Sequence, residues 1–116
     1  MSIWTHVETM FKGHFDETAK EVIGKDILWD YSLDEWETRC AERKAHPERY
    51  MPMGSEGTLA ITKFTPRKII VSGALRDYCN EDEVHEWFDR VCRELRPSMA
   101  KCEFECFDVK TWKYRC

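Results

Sequence analysis

Apolar residues recur along this chain with two periods, and the switch between them marks where strands give way to helices. From Ile3 to Lys12 the period is two. Ile3, Thr5, Val7, Thr9 and Phe11 fall on one side, and Trp4, His6, Glu8, Met10 and Lys12 on the other, as in a strand with one buried face. Gly13 closes the run. A helix starting from Asp16 follows, with Ala19, Val22 and Ile23 on its apolar side and Gly24 as its stop. Thr58 to Phe64 alternates again, and Thr65-Pro66-Arg67 turns the chain. Ile69, Ile70, Val71, Ala74 and Leu75 then form a short run whose β-branched content predicts a central strand. These last two strands should pair as an antiparallel hairpin.

The clearest helical signal follows that hairpin. Asn80 offers an N-cap, Glu83 stands three residues on as in a capping box, and Glu81 and Asp82 sit at the positive end of the helix dipole. Val84, Trp87, Phe88, Val91, Cys92 and Leu95 make one wide apolar stripe, and Pro97 blocks continuation. Ala100 to Val109 alternates once more, with Cys102, Phe104 and Cys106 on one side and Glu103, Glu105 and Phe107 on the other. The basic, aromatic tail Lys110 to Cys116 is left without an element. The order strand, helix, two strands, helix, strand predicts an α+β fold of the ferredoxin-like, split βαβ kind. It would have a four-stranded antiparallel sheet with both main helices on one face.

Residues 26–50 interrupt that order. Ile27, Leu28, Trp29 and Tyr31 are too apolar for a free linker, and Ser32 with Glu35 opens another capping box. A short inserted helix is expected at about 33–45, with Pro47 ending it in an exposed loop. The 116 residues suit one domain spanning 1–116, with 26–50 as an elaboration after the first helix.

Composition narrows the function classes. A net charge of −4 argues against non-specific nucleic-acid binding, which normally relies on a basic field. No apolar run approaches a membrane span or a signal peptide, so a cytoplasmic protein with reduced thiols is expected. Cys40, Cys79, Cys92, Cys102, Cys106 and Cys116 show no metal-binding spacing. Cys92, Cys102 and Cys106 read as small core residues. Neither a metal nor a cofactor is implied.

Two stretches are candidates for binding. Gly54-Ser55-Glu56-Gly57 brackets a hydroxyl and a carboxylate with glycines, whose backbone could approach a ligand or cradle an anion. Arg76 and Asp77 stand where the central strand leaves the sheet, a rigid place from which Arg76 could grip a carboxylate or phosphate. Alternatively Arg76 and Glu56 could pair and tie the two loops together. Trp36 and Arg39, in the charged segment 33–49, complete the candidate set. His6, His14, His46 and His85 are scattered, and no nucleophile or general-base motif accompanies them. No catalytic set is expected.

Tyr50-Met-Pro-Met-Gly-Ser-Glu-Gly57 and Val71-Ser-Gly-Ala-Leu-Arg-Asp-Tyr78, followed by an acidic-capped helix with a Trp-Phe pair, resemble small phage-borne proteins of uncharacterised function. The likeness covers about residues 50–92. It implies a non-enzymatic binding protein that inhibits a host protein or complex by direct contact, such as a CRISPR effector in anti-phage defence. The alternative is a sponge for a small anionic ligand or nucleotide signal, using Ser55, Glu56, Arg76 and Asp77. A homodimer is compatible with either.

Overall fold

The alternation in residues 4–12 becomes the middle strand of a five-stranded antiparallel sheet. The computed structural model describes residues 3–24, 38, 41–42, 44–46, 50–52 and 57–115. In chain order the elements are β1 (Trp4–Lys12), α1 (Thr18–Ile23), β2 (Ala60–Phe64), β3 (Lys68–Arg76), α2 (Glu81–Leu95), β4 (Met99–Glu105) and β5 (Val109–Arg115). The strands lie in the order β2-β3-β1-β4-β5. Registers run Val7↔Gly73 and Phe11↔Ile69 between β1 and β3, Val7↔Phe104 and Phe11↔Ala100 between β1 and β4, and Cys102↔Trp112 between β4 and β5. The hairpin of β2 and β3 forms as expected, with a register shift between Ile61 and Lys63.

One face of the sheet and the two helices share the core. Phe11, Ile69, Val71, Leu75 and Ala100 are fully buried together with Ile23, Val84, Phe88 and Val91. The Phe11 ring stacks on Phe88 at 6.0 Å and meets Trp87 edge-on at 6.4 Å, so the middle strand seats the main helix. Trp87 Nε1 donates to the Ile23 carbonyl at 2.8 Å, which joins α2 to the end of α1. The buried threonine hydroxyls of β1 are satisfied: Thr5 donates to the Tyr78 carbonyl and Thr9 to Cys102 Sγ.

The Asn80 cap of α2 follows the sequence, whereas α1 has Glu17 rather than Asp16 at its N-cap, with no side-chain cap bond. Asn80 Oδ1 accepts from Glu83 N at 3.2 Å, and Glu83 Oε1 takes the Tyr78 hydroxyl at 2.9 Å. Arg96, at φ 49°, ends α2 with its N–H on the Cys92 carbonyl. Asp16 Oδ1 accepts the Thr18 hydroxyl and the Thr18 N–H ahead of α1, and these bonds, the hydroxyl's foremost, hold its carboxyl below the ordinary value. Gly24 ends α1 at φ 113°, where a Cβ would lie 2.9 Å from the Tyr50 carbonyl carbon. Of the inserted helix expected at 33–45, Thr38, Ala41, Glu42, Lys44 and Ala45 are helical; the rest lies outside the described residues.

Three expectations are corrected. The sheet has five strands rather than four, because the basic tail pairs with β4. Trp112 and Tyr114 turn inward against the core while Lys110, Thr111, Lys113 and Arg115 stay exposed. The last alternating run is not one strand to Val109: β4 ends at Glu105 and the chain turns before β5. Cys106 packs against the core as expected, partly buried, but is disulfide-bonded to Cys79 rather than reduced. Cys92 and Cys102 remain buried thiols. No helix among the described residues is long and apolar enough to cross a membrane.

Candidate binding surface

The face of the sheet turned away from the helices carries the other half of each alternating strand. Registers line these residues up in rows across it. Ala74, His6, Glu105 and Val109 make one row; Ser72, Glu8, Glu103 and Thr111 the next; Ile70, Met10, Lys101 and Lys113 the third; Lys68, Lys12, Met99 and Arg115 the last. Trp4 and Arg76 stand opposite each other beyond the first row. Apart from Arg76, carboxylates therefore gather toward one end of the face and cations toward the other. Lys101 Nζ and Glu103 Oε1 meet at 2.8 Å where the two signs adjoin.

The acidic end is also the apolar end. Ile3, Trp4, Phe107 and Val109 are the exposed large hydrophobic residues among those described, at 38%, 45%, 81% and 60% exposure. All four belong to the end where β1 and β5 begin and β3 and β4 finish. Scattered exposed apolar residues need no explanation, whereas four at one rim do.

That rim is braced by the backbone. Asp77, at φ 51°, donates its N–H to the Ile3 carbonyl at 2.6 Å and accepts the Ile3 N–H on Oδ1 at 3.4 Å. Arg76 Nε lies 3.7 Å from Asp77 Oδ2. Gly57, at φ 79°, comes so close to β3 that a Cβ would stand 2.1 Å from the Ala74 carbonyl oxygen and 3.7 Å from the Trp4 ring. Only glycine permits that approach. The Cys79–Cys106 bridge ties the exit of β3 to the exit of β4, and Lys110 Nζ reaches Glu81 at the start of α2 at 3.1 Å. That contact raises the Lys110 pKa.

Three of the sequence-derived candidates thus meet at this rim: Gly57, Arg76 and Asp77. Gly54, Ser55, Glu56, Trp36 and Arg39 lie outside the described residues, and with them the alternative Arg76–Glu56 pairing. The pattern reading missed Trp4, Phe107 and Val109. Their signal was present, since Trp4 falls on the polar side of β1 and Phe107 shares the parity of Glu103 and Glu105.

The remaining chemistry has structural surroundings. His85 stacks on Trp112 with centroids 4.4 Å apart, and its Nε2 is 3.5 Å from Asp89. Burial pushes the Cys102 thiol up to about 11 and the Cys92 thiol to about 12, which disfavours the nucleophilic thiolate at neutral pH. Among the described residues no cluster of three or more His, Cys, Asp or Glu could hold a metal ion. A groove of about 710 Å³ lies beside α2, and its Lys44, Asp82, Glu86 and Arg93 mix both signs. Compared with family models, curated proteins and solved structures, the chain matches none of them.

Proposed function

We propose that this protein is a non-enzymatic binding module that docks on another protein through the sheet rim formed by Trp4, Arg76, Phe107 and Val109. The observation that carries this reading is the gathering of the exposed large apolar residues at one braced rim. A tryptophan and an arginine side by side are the residue types that dominate protein–protein hot spots. The resemblance of residues 50–57 and 71–78 to phage-borne proteins extends the proposal to inhibition of a host protein in anti-phage defence. The order of the first four strands, β2-β3-β1-β4, supports a ferredoxin-like framework to which β5 is added.

The anionic-ligand reading has less support, because the Asp77 carboxylate already faces Arg76 at 3.7 Å and opposes a second anion there. The Cys79–Cys106 bridge argues against the cytoplasmic location expected from the sequence, since disulfides are rare in reducing compartments.

The test is native mass spectrometry of the tagged protein recovered from host lysate, run beside a Trp4→Ala/Phe107→Ala variant. The proposal expects a stoichiometric host protein on the wild type and its loss from the variant. A partner held equally by both, or a small mass adduct in place of a protein, contradicts it.

A further inference from the structure

From the charge gradient of the open sheet face we infer that this face pairs with a second copy of the chain, with the strands of the two copies reversed. Glu8, Glu103 and Glu105 occupy the half near Trp4, where the one cation among the described residues, Arg76, faces Asp77 at the rim, and Lys12, Lys68, Lys101, Lys113 and Arg115 occupy the other half. Met10, Ile70 and Met99, all partly exposed, supply apolar contact between and beside them.

Two sheets can stack face to face about a two-fold axis that runs either along the strands or across them. An axis along the strands sets carboxylates on carboxylates and lysines on lysines, and that like-charge juxtaposition disfavours it. An axis across the strands, between the Glu8 row and the Met10 row, sets each acidic half on the partner's basic half. The Lys101–Glu103 pair then lies over its own symmetry mate with signs alternating. The surface is self-complementary, as a two-fold interface must be.

The size fits. Five strands about 4.8 Å apart and about seven residues long give a footprint of roughly 600 Å² before side-chain relief. A standard interface uses about 800 Å² per partner. The reversed arrangement points the Trp4 ends of the two copies in opposite directions, so the pair would present two rims.

Sedimentation velocity on the purified full-length protein over a wide concentration range tests this. Two variants accompany the wild type: Glu8→Lys/Glu103→Lys and Lys101→Glu/Lys113→Glu. All four positions are at least partly solvent-exposed, and thermal melts check that each variant folds. The wild type is expected to dimerise, more weakly as salt rises. Each variant alone should dimerise at least about tenfold more weakly, and an equimolar mixture of the two should recover the dimer. A wild type monomeric throughout overturns the inference, as does a dimer indifferent to both reversals or a mixture that does not recover. A monomer whose open-face residues respond in NMR only to an anionic polymer such as single-stranded DNA assigns the face to another occupant, and also overturns it.

Discussion

The two faces of this sheet are made by the same strands and obey different rules. On the helix side, Thr5, Val7, Thr9 and Phe11 alternate with residues of the other side, and every one is buried. Their partners across β3 and β4 are small or apolar, and both buried hydroxyls find acceptors. On the open side the same backbone displays Trp4, His6, Glu8, Met10 and Lys12, which share no common hydropathy. They share an ordered gradient, from apolar and acidic at one end to basic at the other. The first face is what folding requires. The second is free of that requirement, so its pattern is the place to look for what the molecule binds.

The largest expected effect separates the faces directly. Phe11→Ala should cost about 3–5 kcal/mol in urea denaturation, because it removes a ring packed against Trp87 and Phe88. Its neighbour on the other face, in Met10→Ala, should cost less than about 1 kcal/mol for the monomer. Equal losses would mean that the open face is covered within a single chain.

Next comes the bridge that holds the rim. Cys79 and Cys106 are 27 residues apart, and a loop of that length corresponds to about 3–4 kcal/mol in the chain-entropy account. Cys79→Ser, or reduction of the wild type, should lower the melting temperature accordingly. A wild type that melts identically with and without reductant would show the two thiols unbonded in solution. Gly57→Ala should cost about 1–3 kcal/mol, since its Cβ would strike the Ala74 carbonyl at 2.1 Å. Because Gly57 also backs the Trp4 ring, this change should loosen the rim.

The smallest effect is a pH dependence of the helix side. Cys102 and Cys92 titrate in the folded chain at about 11 and about 12, above the ordinary 9.0. Folding therefore holds protons that the unfolded chain releases first. Their contribution is fully present below pH 9 and is lost as pH climbs through the folded values. Denaturation midpoints at rising alkaline pH should fall there. In the native protein at pH 8 neither thiol should react with iodoacetamide.

Much of the fold was legible because several local signals agreed. For α2 the cap at Asn80, the stripe from Val84 to Leu95 and the stop at Pro97 all marked the same segment. β1 and β3 were legible from period and β-branching. β5 was not, because Lys110, Lys113 and Arg115 mask a strand whose inward residues are only Trp112 and Tyr114. Nor was the disulfide, since Cys79 and Cys106 become neighbours only when β1 aligns the ends of β3 and β4. At the rim, Arg76, Asp77 and Gly57 could be located from strand ends and turn chemistry. Trp4 and Phe107 could be located only once parity and exposure were read together.

The most direct test of the division between the faces is native mass spectrometry of the tagged protein from host lysate, comparing wild type with Trp4→Ala/Phe107→Ala. The account predicts a stoichiometric protein partner on the wild type and none on a variant that melts at the same temperature. A partner retained by that variant would contradict it, and would place binding somewhere other than the rim of the open face.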